Sequence, residues 1–196
     1  REAREPADAF KAGRRLLKVA TQMGRLEAIE SVIRPLVFNR RHKDVYLKLL
    51  IELYVGLARQ YEYGLGPREE RKEKLERLGH RALKPALDAL FSSDLGLQAR
   101  ALDVLTLTRP AGAAAALSRV ASSGDIGVDF QATVALGRIG SPASVAALGK
   151  LLEGKNRRMK FVANWSLGLI GSKASRDLLI SQVRTARMDG RMWAAF

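Results

Sequence analysis

The chain has 196 residues, of which 47% are hydrophobic and 28% charged, so it is long enough to bury the core of one domain or two small ones. Its formal net charge of +14 favours acidic partners: nucleic acid, an anionic lipid surface or acidic protein. The absence of cysteine excludes a disulfide framework, a Cys-type zinc site and a Cys nucleophile.

No transmembrane segment is predicted. The longest apolar stretch, residues 49–58, is interrupted by Glu52 and is far shorter than the roughly 18 apolar residues that a bilayer requires. The sequence starts at Arg1 without a signal peptide, as a processed organellar protein or a cloned fragment would. We expect an intracellular, non-secreted protein, with an organellar interior (the mitochondrial matrix) favoured over the cytoplasm.

Three helices are predicted in the first 63 residues, and they do not follow the repeat found further along. This N-terminal helical region (residues 1–63) is interpreted as a cap or as degenerate repeats. The sequence Gly-Leu-Gly-Pro at 64–67 is the clearest break in the chain, and a mixed-charge helix follows it. We therefore treat residues 64–79 as a linker and charged helix. The apolar positions of the first three helices are Leu16, Leu17, Ala20 and Met23; Leu26, Ile29, Val32, Ile33 and Leu36; and Val45, Leu49, Leu50, Leu53, Leu57 and Tyr61.

Residues 80–196 contain a 31-residue repeat. VALGRIGS at 134–141 recurs as WSLGLIGS at 165–172. Each copy carries two short helical patterns, and Gly140 and Gly171 are predicted to end the second helices. The capping residues of the second helices fall in one column of the repeat: Asp94, Asp125 and Asn156. The predicted unit is helix, turn, helix, tight turn.

The segment ALGRIGSPASVAALGKLL, Ala135 to Leu152, resembles the short HEAT-like repeats of the phycobilisome-lyase type, and the resemblance extends over about residues 83–196. It implies an all-α fold, a right-handed alpha-solenoid of HEAT-like helical hairpins preceded by the N-terminal helical region. It implies no reaction, because this repeat type occurs in chromophore lyases, scaffolds and assembly factors.

No motif in the sequence indicates catalysis, a metal site or a cofactor. His42 and His80 stand in unrelated contexts, and neither belongs to a metal-binding spacing. The chain also lacks a nucleophile elbow and a phosphate-binding loop. We predict a non-enzymatic protein without metal or cofactor.

The second helices of the repeats carry an unexpected second apolar side. In the third copy the predicted core face includes Met159, Ala163 and Leu167, and large apolar residues stand on the opposite side, where the repeat pattern has charged residues. We call these residues the apolar ladder and predict that they bind a partner; the alternative is that other parts of the chain cover them. The ladder consists of three pairs spaced one helical turn apart: Phe130 and Val134, Phe161 and Trp165, Met192 and Phe196.

Positive charge is concentrated beside the ladder. From Arg138 onward the chain has eleven basic residues against three acidic ones. Part of this charge forms a predicted basic ridge able to contact phosphates, acidic lipid or an acidic subunit. The ridge consists of Lys155, Arg157, Arg158, Lys160, Arg184, Arg187 and Arg191.

These features predict a protein-protein interaction scaffold or accessory subunit of a larger assembly. It would dock other protein subunits through the ladder and use the ridge for orientation and rapid encounter. Two alternatives stay open: an RNA-binding subunit of a ribonucleoprotein, which would bind with a steep salt dependence, and a bilin-lyase-like enzyme or chaperone, which the repeat type alone suggests.

Overall fold

The structure is a computed structural model that describes residues 5–23, 25–36, 43–125 and 127–185. Within these ranges every regular element is helical, and the ten α-helices pack in sequential pairs, consistent with a HEAT-like solenoid. The predicted fold class is confirmed. The helices are α1 (Glu5–Gln22), α2 (Leu26–Leu36), α3 (Lys43–Tyr63), α4 (Arg68–Leu90), α5 (Leu95–Thr108), α6 (Ala114–Ala121), α7 (Val128–Ile139), α8 (Pro142–Glu153), α9 (Arg157–Ile170) and α10 (Lys173–Thr185), with a 3-10 turn at Ala111–Ala113 before α6.

The chain divides into two compact units, Arg1–Thr108 and Arg109–Phe196. In the first unit α3 is the central helix and packs against α1, α2, α4 and α5. Its residues Leu50, Ile51 and Tyr54 are completely or almost completely buried, which explains why this helix is apolar on most of its circumference.

Helix α4 is longer than the sequence suggests. Its charged first half carries the ion pairs Lys74–Glu70 (2.7 Å) and Arg77–Glu73 (2.5 Å) on the exposed side. The helix then continues through Pro85 without interruption and packs its second half on α5. The domain limits that we infer after residues 63 and 79 stay a prediction; α4 itself runs through residue 79.

The second unit contains two layers. Helices α7 and α9 pack side by side, α6 and α8 pack behind them, and α10 packs against α9 and α8. The predicted helix ends at Gly140 and Gly171 are confirmed. Both glycines are left-handed, with φ of 63° and 61°, and their N–H groups donate to the carbonyls of Leu136 and Leu167.

The column of predicted helix caps is confirmed at two of its three positions. Asp94 accepts a hydrogen bond from Leu97 N at 3.1 Å, and Asn156 accepts one from Met159 N at 3.3 Å. The prediction for Asp125 is wrong. Helix α7 begins three residues later, at Val128, because Gly127 adopts a φ of 116° that a helix cannot contain.

The described residues include no helix that is long and apolar enough to cross a membrane. His80 lies exposed on α4, and His42 lies outside the described residues.

Candidate functional site

The candidate site lies on one side of α7 and α9, which approach each other closely. A Cβ atom added at Gly137 would lie only 2.8 Å from Ser166 Cβ and 3.1 Å from Ser166 Cα. The Ser166 hydroxyl donates a hydrogen bond across the same contact to the carbonyl of Thr133, at 3.2 Å. Small residues on both helices therefore allow a backbone approach that larger side chains would prevent.

Contacts along the two helices show that they run in parallel. The guanidinium of Arg158, in the first turn of α9, lies 5.8 Å from the ring centroid of Phe130, in the first turn of α7. Near their C-terminal ends, a Cβ atom added at Gly140 would lie 3.8 Å from the Ile170 side chain. Their corresponding faces therefore point to the same side of the unit.

The described members of the apolar ladder lie on this shared side. Phe130 is 37% exposed, Phe161 44% and Trp165 49%, and Val134 is half-buried. The opposite side of α9 is the core face, where Met159, Ala163 and Leu167 are buried as the sequence predicts. Helix α9 therefore has an apolar surface on two sides, one buried in the core and one that the described residues leave partly exposed.

The ladder's third pair, Met192 and Phe196, lies outside the described residues, and so do Arg187 and Arg191 of the basic ridge. The other ridge residues fall into three places. Lys155, in the turn before α9, and Arg157 and Arg158, its first two residues, are exposed next to the ladder; Lys160 is half-buried further along the helix; and Arg184 is exposed near the end of α10.

Two exposed residues of this side were not part of the predicted ladder. Arg138 stands one turn beyond Val134 on α7, and Leu169, which is 53% exposed, stands one turn beyond Trp165 on α9. Arg138 and Leu169 are 31 residues apart and so occupy the same position of the repeat. That shared position is the sequence signal that could have identified both.

The exposed side of α7 and α9 carries no carboxylate among the described residues. The acidic residue of these two helices is Asp129, which is buried and accepts hydrogen bonds from the N–H groups of Gly127 (3.1 Å) and Phe130 (2.6 Å). Arg138 and Arg158 form no ion pair with any described residue. This side therefore combines exposed apolar groups with positive charge that no described carboxylate neutralises.

Among the described residues, the groups with clearly shifted pKa values lie in the first unit. Burial raises the pKa of Tyr54, and Glu30 adds to the increase because the Tyr54 hydroxyl donates a hydrogen bond to Glu30 Oε1 at 2.9 Å. Arg81 pairs with the other oxygen of Glu30 at 3.0 Å. This buried set connects α2, α3 and α4, and its role is to hold these helices together. The described residues contain no group of three or more side chains suited to a metal ion.

Comparison with known proteins identifies the repeats. Residues 81–168 match the family model for HEAT repeats, the repeat type that the sequence predicts there. A search among curated proteins finds none that matches the chain. A solved crystal structure of an engineered protein is similar, with a TM-score of 0.53, 19% identity, and coverage of 86% of this chain and 76% of that one. At this identity the similarity shows the fold alone.

Proposed function

We propose that this protein is a non-catalytic scaffold or accessory subunit that docks another protein on the apolar ladder. The observation that carries the proposal is the exposure of Phe161 and Trp165 beside Phe130 on one side of the second unit. HEAT repeats are commonly protein-interaction scaffolds, and exposed aromatic residues grouped in one patch are typical of the energetic centre of an interface.

The ladder and the ridge have different roles in this proposal. Burial of two aromatic side chains supplies affinity, because each removes a large apolar area from water. The exposed cations at the start of α9 orient an acidic partner and increase the association rate.

A nucleic-acid partner is the second candidate, and one observation favours it. Phe161 and Trp165 lie on the same helix as Arg157 and Arg158, and aromatic rings next to arginines are the elements of single-stranded nucleic-acid sites. Such binding weakens steeply with salt, whereas apolar docking depends on salt much less. The proposed compartment is the interior of an organelle, because the chain is strongly basic, as proteins of the mitochondrial interior often are.

The proposal is tested by purifying the protein from its own source, in low and then high salt, with mass analysis of what accompanies it. We expect protein subunits that remain bound in high salt. Trp165→Glu should abolish this association while the circular dichroism spectrum and melting temperature stay close to those of the unmodified protein. Ile180→Glu is the matched control, because Ile180 is equally exposed (49%) but lies on α10.

Two results would contradict the proposal. Unfolding of the Trp165→Glu variant would mean that the ladder is part of the protein's own core. Recovery of RNA, or loss of the partner as salt rises, would favour the nucleic-acid function.

A further inference from the structure

The arrangement of charge around the ladder narrows the kind of protein that fits it. We propose that the partner presents an amphipathic helix with a short apolar stripe and a carboxylate one turn beyond each end of it. This inference rests on the apolar ladder being the docking face, and it adds the shape and charge of the occupant.

Two arginines mark the ends of the described part of the ladder. Arg158 lies level with Phe130 at the start of the parallel helices, as their contact shows. Arg138 lies two turns further along α7, beyond Val134. At a rise of about 1.5 Å per residue, the eight residues from 130 to 138 separate the two charges by about 12 Å along the helix axes.

A helix is the occupant that matches this spacing. Residues seven or eight apart on a helix are also about 11 to 12 Å apart and lie on the same side, with positions i+3 and i+4 between them. The shallow surface between two neighbouring helices, whose axes are about 8 to 10 Å apart, is a common seat for an amphipathic helix. A partner helix that fits this surface therefore has carboxylates at positions i and i+7 or i+8, and apolar residues at positions i+3 and i+4 between them.

The required charge follows from the two arginines that flank the ladder. Some exposed cations of the first unit are paired with carboxylates of that unit, as Arg14 is with Glu52 (3.1 Å) and Arg59 with Asp103 (3.5 Å), and others, such as Lys11 and Lys18, form no ion pair with a described residue. On the exposed side of α7 and α9, Arg138 and Arg158 have no such partner among the described residues. A partner's carboxylates would supply the missing charge.

The same surface is less suited to nucleic acid. Bases stack on open aromatic faces, but the guanidinium of Arg158 lies over the ring of Phe130. The residues that complete the patch, Val134 and Leu169, are aliphatic and offer no stacking surface. These two observations favour a peptide over single-stranded RNA.

The experiment titrates the isotope-labelled full chain with three capped, alanine-based helical peptides and follows the Trp165 indole N–H signal by NMR. All three peptides carry leucines at i+3 and i+4, and they carry glutamate, glutamine or lysine at both i and i+7. We expect binding in the order glutamate, glutamine, lysine, with about a fivefold change in Kd at each step, because two exposed ion pairs contribute modestly. A fourth peptide, with proline between the leucines and the second glutamate, should bind at least tenfold more weakly, because proline breaks the helix.

Charge reversal on the protein supplies the control. In the double variant Arg138→Glu with Arg158→Glu, the lysine peptide should bind better than the glutamate peptide. Lys173→Glu makes the same kind of change at an exposed residue at the start of α10 and should leave the original order unchanged.

The outcomes separate this inference from the proposed function. Equal affinity for all three peptides, still lost in Trp165→Glu, would overturn the acidic helix and leave the ladder as a docking face. Peptide-induced shifts in α10 or the first unit without shifts in the ladder would overturn both. Competition with a uridine oligonucleotide tests the RNA alternative. If the oligonucleotide displaces the glutamate peptide at a concentration below the Kd of that peptide, the inference is overturned in favour of RNA.

Discussion

The close contact between α7 and α9 predicts different effects for the same substitution at two equivalent glycines. Gly137 and Gly168 occupy one column of the 31-residue repeat, and both lie inside helices. Changing either to alanine adds one methyl group and gains about 1 kcal/mol of helix propensity. Their surroundings differ, however, so comparison of the two variants isolates the packing contribution.

The size of the difference follows from the geometry. At Gly137 the added carbon would lie 2.8 Å from Ser166 Cβ and 3.0 Å from its hydroxyl oxygen, whereas carbon atoms in contact are normally about 3.5 to 4.0 Å apart. Overpacking of this kind costs about 1 to 3 kcal/mol. At Gly168 no described atom lies within 4 Å of the added carbon. We therefore expect Gly168→Ala to be more stable than Gly137→Ala by about 1 to 3 kcal/mol.

Tryptophan fluorescence during urea unfolding is the suitable assay, because both tryptophans of the chain, Trp165 and Trp193, belong to the second unit. Gly168→Ala should raise the unfolding midpoint above that of the unmodified protein, and Gly137→Ala should lower it relative to Gly168→Ala. Adding Ser166→Gly to Gly137→Ala removes the clashing Cβ, so the double variant should show a favourable coupling energy. Equal midpoints for the two alanine variants, or additive effects in the double variant, would refute the packing argument.

Three further predictions follow from the structure. Tyr54→Phe should reduce the free energy of unfolding by about 1 to 3 kcal/mol, because the buried Glu30 loses the hydroxyl that donates to its Oε1. The control Tyr63→Phe, at an exposed tyrosine, should cause no measurable loss. Urea unfolding followed by circular dichroism measures both. Burial and Glu30 raise the pKa of Tyr54 above the unfolded value of 10.0, so the stability that this tyrosine contributes is complete below pH 10 and is lost as the pH rises further. Tyr54→Phe should therefore make the free energy of unfolding less dependent on pH above 10. An alkaline stability profile that is the same in both proteins would contradict the raised pKa. Asn156→Ala should reduce the free energy of unfolding by about 1 kcal/mol, because it removes the N-cap of α9, whereas Asp125→Ala should leave it unchanged. Equal losses of stability in the two variants, measured by tryptophan fluorescence during unfolding, would contradict the cap assignment.

Much of the second unit could be predicted from the sequence because its determinants repeat. A glycine that ends a helix at position 140 does so again at 171, and the two occurrences support each other. The same regularity misled at Asp125, where the repeat column predicts a cap but a local feature, the positive φ of Gly127, delays the start of α7. A period describes what the copies share and cannot describe the residues by which one copy departs from the others.

The buried set in the first unit shows a different limit. Glu30 meets Tyr54 and Arg81, which lie 24 and 51 positions further along the chain on two other helices. No local spacing connects these residues, so the sequence alone does not show that Glu30 has partners. Contacts of this kind depend on how helices pack, and packing is the step at which single-sequence reasoning has least information.

The seam between α7 and α9 connects the stability of the second unit to its candidate site. The two helices approach closely at Gly137 and Ser166, and the separation of their axes there sets how far apart the ladder residues of the two helices lie. Phe130 and Val134 belong to α7, and Phe161 belongs to α9. A methyl group at Gly137 would push these rows apart, because the clash includes the backbone Cα of Ser166 and cannot be relieved by rotating its side chain alone. Gly137→Ala should therefore weaken docking on the ladder although residue 137 is buried and touches no partner, whereas Gly168→Ala leaves the spacing unchanged. The small residues of the seam are thus positioning residues for the ladder, and the fold and the proposed function depend on the same contact.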